Sequence, residues 1–136
     1  MRCLTVAVDK EDKKYMVTLN IIEYLNDEKD EVLLEIRQND VKLYAYCYPY
    51  TGKKTDTAEK ITLYALSAYN IGPSLEWQPP CKTSESAFNH HLHAKIVNKK
   101  ERLVSIGDID IILDASIDSE FPVGSTISFD VVRLDY

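Results

Sequence analysis

The chain has only four glycines, Gly52, Gly72, Gly107 and Gly124, and they stand far apart. Scattered single glycines cannot build a phosphate-cradling loop, so neither a dinucleotide-binding nor a P-loop fingerprint is present. A Gly-x-Ser-x-Gly nucleophile elbow is also missing. No apolar run approaches the roughly 20 residues that a membrane-crossing helix requires. No basic and then apolar leader follows Met1, so the expected location is the cytoplasm. The three cysteines, Cys3, Cys47 and Cys81, are an odd number at unrelated spacings. They read as free thiols, with Cys47 a small buried apolar residue. Basic charge is scarce in one region. Residues 1–102 carry 15 Lys/Arg and 15 Asp/Glu, whereas residues 103–136 carry one basic residue, Arg133, against seven acidic ones. The whole net charge of −6 therefore sits in the last quarter, which disfavours nucleic acid there and favours a basic partner or a plain solvated face.

The remaining composition is ordinary. With 136 residues, 45% hydrophobic and 28% charged, the chain is expected to form one domain spanning 1–136 that needs no disulfide or metal to fold. The most unusual segment is Val41-Lys-Leu-Tyr-Ala-Tyr-Cys-Tyr-Pro-Tyr50. In an extended chain alternate side chains take opposite faces, which puts Val41, Leu43, Ala45 and Cys47 inward and Tyr44, Tyr46, Tyr48 and Tyr50 outward. Three readings follow for the tyrosines. They pack inside a sandwich, they anchor a protein interface, or they stack single-stranded nucleic acid with Lys42, Lys53 and Lys54 on its phosphates.

Period-2 alternation recurs elsewhere. Residues 3–8, 15–24 and 31–37 read as strands, with a bulge or two-sided burial at Ile21-Ile22. Gln38-Asn39-Asp40 is a tight turn, so an antiparallel meander is expected to run into the tyrosine strand. Thr55–Tyr69 is read as the one helix, over about 56–69. Asp56 and Glu59 resemble a capping pair, and Ala58, Ile61, Ala65 and Ala68 share a helical face. The rival reading is a strand, since Ile61, Leu63 and Ala65 also alternate. Residues 70–88 read as a long loop, with Trp77 docked on the core. From Leu92 onward the chain reads as β throughout, with Ile109, Ile111, Leu113, Ala115 and Ile117 opposite Asp108, Asp110, Asp114 and Asp118. The expected architecture is mainly β, an antiparallel barrel or sandwich of about seven strands with one short helix.

His90, His91 and His93 are the only histidines. His91 and His93 share a strand face, and Cys81, Glu85 and Glu101 are the nearest residues that could complete a metal-ligand set. The segment from His91 to Gly107 resembles the first cupin motif, and Pro122-Val-Gly124 the turn of the second. That resemblance implies a metal-dependent enzyme, but Glu101 stands too far along the chain and Ile127 occupies the second motif's histidine position. Cys81 with a histidine lacks any local motif of a covalent enzyme. The aspartate row does not have the spacing of a calcium-binding loop.

These residues together suggest a small acidic protein-binding module without catalytic residues or cofactor. In size, charge and lack of catalytic motif it resembles the immunity and antitoxin proteins of bacteria. Tyr44, Tyr46, Tyr48 and Tyr50 would anchor the partner, and Asp108, Asp110, Asp114 and Asp118 would meet its basic surface. An oligonucleotide-binding barrel and a cupin-like metal enzyme are the alternatives.

Overall fold

A computed structural model describes residues 16–83 and 88–136. The strand expected at residues 3–8 and the candidate ligand Glu85 lie outside these. The described chain is mainly β. Its strands are β1 Val17–Tyr24, β2 Val32–Gln38, β3 Val41–Cys47, β4 Thr55–Ala58, β5 Ile61–Leu66, β6 Tyr69–Pro73, β7 Cys81–Lys82, β8 His90–Asn98, β9 Leu103–Ile106, β10 Ile109–Ile112, β11 Thr126–Val131 and β12 Arg133–Asp135.

The expected meander is present. β1, β2 and β3 pair consecutively and antiparallel, and β2 meets β3 over all seven residues from Val41 to Cys47. Asn39, with φ 56°, turns the chain tightly between Gln38 and Val41. The Ile21-Ile22 irregularity is a bulge. The β1–β2 register shifts between Ile21 and Glu23, which leaves Ile22 unpaired and half exposed.

The helix expected over 56–69 does not form. That stretch is β4, β5 and the start of β6. Ile61, Leu63 and Ala65 are all buried while Thr62, Tyr64 and Leu66 point out. A helix would have wrapped Leu63 away from Ile61 and Ala65, whereas the strand buries all three. Thr55, Thr57, Ile61, Thr62 and Tyr64 also favour strand. Asp56 caps nothing helical, and its Oδ1 accepts the adjacent Thr57 N–H. The supposed loop 70–88 contains the rest of β6 and all of β7, and Trp77 stays 43% exposed rather than docking.

Of the expected antiparallel barrel or sandwich of about seven strands, the closed seven-stranded barrel does not form: the described residues make twelve strands in one open mixed sheet. The order is β4-β1-β2-β3-β12-β5-β10-β9-β8-β11-β6, with β7 added beside the start of β8. β10 with β5 and β12 with β3 are parallel, and the other pairs are antiparallel. Among the described residues the path ends at β4 and at β6, so it is not closed. It does curl, because residues from both halves, such as Leu34 and Leu43 on one side and Leu92 and Phe129 on the other, belong to one continuous core. Burying each such side chain contributes roughly 1.5–3 kcal/mol.

The two halves meet at a narrow seam. β3 and β12 pair only at Tyr46 and Asp135, supplemented by Tyr136 N–H donating to the Tyr46 carbonyl at 2.8 Å. β12 is short because the chain changes faces at Val132, where the inward series Ile127, Phe129, Val131 breaks and Leu134 resumes it. Where no described strand neighbours β3, a side chain pairs with it instead. The Tyr44 N–H donates to His90 Nε2 of β8 at 3.1 Å. A second tie joins two hairpin turns. Gln38 Nε2 donates to Asp108 Oδ2 at 2.8 Å, and the Asp108 N–H donates to Gln38 Oε1 at 2.9 Å. Gly107 makes this approach possible. Its φ is +59°, and a Cβ there would lie 2.5 Å from Gln38 Oε1.

Candidate functional site

The tyrosine segment is extended as the alternation requires, but only as far as Cys47. Val41, Leu43, Ala45 and Cys47 are buried, and Tyr44 and Tyr46 stand half-buried on the outer face beside the exposed Lys42. Tyr48, past the strand end, is 60% exposed. Tyr50 turns back to pack against the core, its hydroxyl donating to the Lys53 carbonyl at 2.7 Å. Burial, and then the nearby Asp56 carboxylate, raise its pKa. Tyr50 is thus a structural residue walling a cleft with Cys47 and Tyr136. Lys53 and Lys54 are exposed beyond it, where the Lys54 carbonyl accepts the Ile21 N–H of β1 at 2.9 Å.

Tyr44 and Tyr46 are each framed by charge. Lys82 Nζ lies 4.2 Å from the centroid of the Tyr44 ring, which stacks on His90. The Tyr46 hydroxyl donates to the Glu31 carboxylate, which raises its pKa, and Phe88 meets the Tyr46 ring edge-on. The Arg133 guanidinium sits 4.4 Å from the Tyr46 centroid. Two hydrogen bonds to Asp135, 2.7 and 3.0 Å, hold it there, so the cation is delivered to the ring in a fixed orientation.

The face continues across the sheet through residues that the helical reading concealed. Tyr46 is opposite Asp135, Asp135 opposite Tyr64, Tyr64 opposite Ile112, and Ile112 opposite Leu103. This row crosses β3, β12, β5, β10 and β9 on one outer face. Tyr64 is 53% exposed, and Leu66, opposite Arg133, is exposed beside it. The alternation of Thr62, Tyr64 and Leu66 with Ile61, Leu63 and Ala65 was the signal that could have found them.

The four aspartates do not form a row. β10 ends at Ile112, so only Asp110 lies on a strand face, where it pairs with Lys60 at 3.2 Å. Asp108 ties the turn to Gln38. Asp114 accepts the Ser67 and Ala68 N–H groups at 2.7 and 3.0 Å, and those bonds, the Ala68 one first, hold its carboxyl below the usual range. Asp118 accepts the Glu120 N–H at 2.8 Å.

The chain matches no protein-family model, and neither a curated protein nor a solved structure shows significant similarity to it.

The three histidines separate by burial. His90 faces inward, 1% exposed, its Nδ1–H donating to the Phe88 carbonyl at 2.9 Å while Nε2 accepts from Tyr44. Burial, aided by the Lys82 charge, lowers its pKa to about 4, so it is neutral at pH 7. His91 and His93 lie together on the outer side, with ring centroids 5.1 Å apart. His91 Nδ1 is 2.7 Å from Asp130 Oδ1, and His93 Nδ1 is 2.7 Å from Ser74 Oγ. Cys81 is exposed and directly opposite His91 on β7. Glu101 is in the β8–β9 turn, its N–H bonded to Asn98, and takes no part in this group. As the side chains stand, the described residues hold no set of three His, Cys, Asp or Glu placed to bind a metal ion. No helix long and apolar enough to cross a membrane occurs among them.

Proposed function

We propose that the protein binds another protein through the outer face of β3, β12 and β5. Tyr46, Tyr64 and Leu66 form its apolar centre, and Tyr44, Tyr48 and Asp110 stand around it. The observation that carries this reading is the row Tyr46–Asp135–Tyr64–Ile112 on one outer face, in which Tyr64 is exposed, Tyr46, Asp135 and Ile112 are half-buried, and no further layer lies over them among the described residues. Tyrosine suits such a role because its ring excludes water over a large area while its hydroxyl stays solvated. The partner should be basic. The net charge is −6, and Asp108, Asp114 and Asp118 are exposed in turns at the surface. Such charge speeds encounter more than it deepens affinity. The mode of action is occlusion, as in the immunity and antitoxin proteins the chain resembles in size and charge, with a basic partner's own working surface covered.

The test is a photo-crosslinking amino acid at position 64, with position 123, in the exposed 121–124 turn, as control. Position 64 should yield one crosslinked protein with a basic surface, lost when Tyr46→Ala and Asp110→Lys are combined. Equal yields at 64 and 123, or capture that survives both substitutions, would overturn the assignment.

A further inference from the structure

The pair His91 and His93 is set up as a ligand pair before any ion arrives. Asp130 accepts from both sides: its Oδ2 takes the Asn70 amide N–H at 2.9 Å and its Oδ1 takes the His91 Nδ1–H at 2.7 Å. The hydroxyl of Ser74 spends its one proton on the Glu76 carbonyl at 2.8 Å, so its oxygen must accept from His93 Nδ1. Both imidazoles therefore carry the proton on Nδ1 and the lone pair on Nε2. No described hydrogen bond engages either Nε2, and no buried side-chain nitrogen or oxygen lacks a partner, so both lone pairs reach solvent. A hydrogen bond from the distal ring nitrogen to a carboxylate or another oxygen is the usual support of a metal-bound histidine.

The spacing fits as well. Two imidazoles on one tetrahedral zinc ion, with Zn–N about 2.0–2.1 Å, place their ring centroids roughly 5 Å apart. The observed separation is 5.1 Å. Cys81 pairs with His91 across β7 and β8, so its side chain leaves the sheet on the same face, with a Cβ separation of roughly 5 Å. Its thiol does not yet converge on the pair. Its side chain is exposed, whereas the two rings are already held.

We propose that His91, His93 and Cys81 bind a divalent ion of the zinc class on the outer face of β7 and β8, with water or an external ligand in the fourth position. Two nitrogens and one thiolate are a borderline-soft set that suits zinc or cobalt and not calcium or magnesium. Asp130 and Ser74 are positioning residues that hold the rings.

The test uses the full chain after chelator treatment, titrated with Zn2+ against a chromophoric competitor and with Co2+ followed by absorbance. One equivalent should bind. His93→Ala should weaken affinity at least 10-fold, and Asp130→Asn about 10–100-fold. Cobalt should show a sulfur charge-transfer band that Cys81→Ser removes while one equivalent still binds more weakly. Unaltered urea midpoints would show that the variants remain folded. The proposal is overturned if the wild-type chain shows no saturable equivalent, if His93→Ala leaves affinity unchanged, or if the band is absent from the wild type or persists in Cys81→Ser.

Discussion

The tyrosine row and the aspartate row are written in the same alternating pattern, yet only the first becomes a face. β3 is paired with β2 along all seven residues, so its pleat holds Tyr44 and Tyr46 outward. β10 lasts four residues, and beyond Ile112 no strand keeps the alternation aligned. Asp114 and Asp118 then bend to backbone amides in the neighbouring turns, as short carboxylates in loops do. Where β3 itself loses its partner, at Tyr48 to Tyr50, the tyrosine row also breaks. A period in the sequence becomes a surface only over the length that neighbouring strands enforce.

Three perturbations sharpen that contrast. The largest effect belongs to the inner side that both rows share. Leu43→Ala and Ile111→Ala each remove a fully buried side chain and should cost about 2–5 kcal/mol in urea denaturation. A loss near 1 kcal/mol at Ile111 alone would mean that the aspartate strand packs more loosely than the tyrosine strand.

Next comes the seam at Tyr44. The folded pKa of His90, about 4, is below its ordinary 6.5. Between these values the unfolded chain takes up a proton that the folded chain refuses, so stability is full above pH 6.5 and falls as pH drops toward 4. The share of the loss due to His90 should reach about 2 kcal/mol by pH 5 and on the order of 3 kcal/mol by pH 4, and be absent from His90→Phe, which keeps only the slope from His93, whose pKa burial also lowers. An equal slope in wild type and His90→Phe would show that His90 is not the buried neutral group that makes this edge sensitive to pH.

The smallest effects separate the rows themselves. Asp114→Ala removes the acceptor of two amides and should cost about 1–2 kcal/mol, whereas Tyr64→Ser, on the open face, should stay within about 0.5 kcal/mol. Thermal midpoints read both. If Tyr64→Ser proved the more costly, the tyrosine face would be packing surface and not a free one.

Much of this was legible locally. The meander, the inward series Val41, Leu43, Ala45, the extra residue at Ile22 and the face change near Val132 all depend on neighbours along the chain, where a pleat of period two leaves its mark. The segment 56–69 was not. Its alanines and Ile61 satisfy both periods, and the decision came from a parallel partner, β10, that lies far away in sequence. Trp77 could not be placed for a similar reason, since a ring in a loop docks only if a hollow awaits it.

The amino-acid order alone determined that the chain is mainly β, which residues face inward along each well-paired strand, and that negative charge gathers in the last quarter. Those properties follow from side-chain alternation and from counting. Tertiary structure decided the rest. It placed Tyr64 and Arg133 beside Tyr46, parted His90 from His91 and His93, brought Cys81 opposite His91, and spread the aspartates among turns, because each of these depends on which distant strand becomes a neighbour, and strand pairing leaves no period in the sequence.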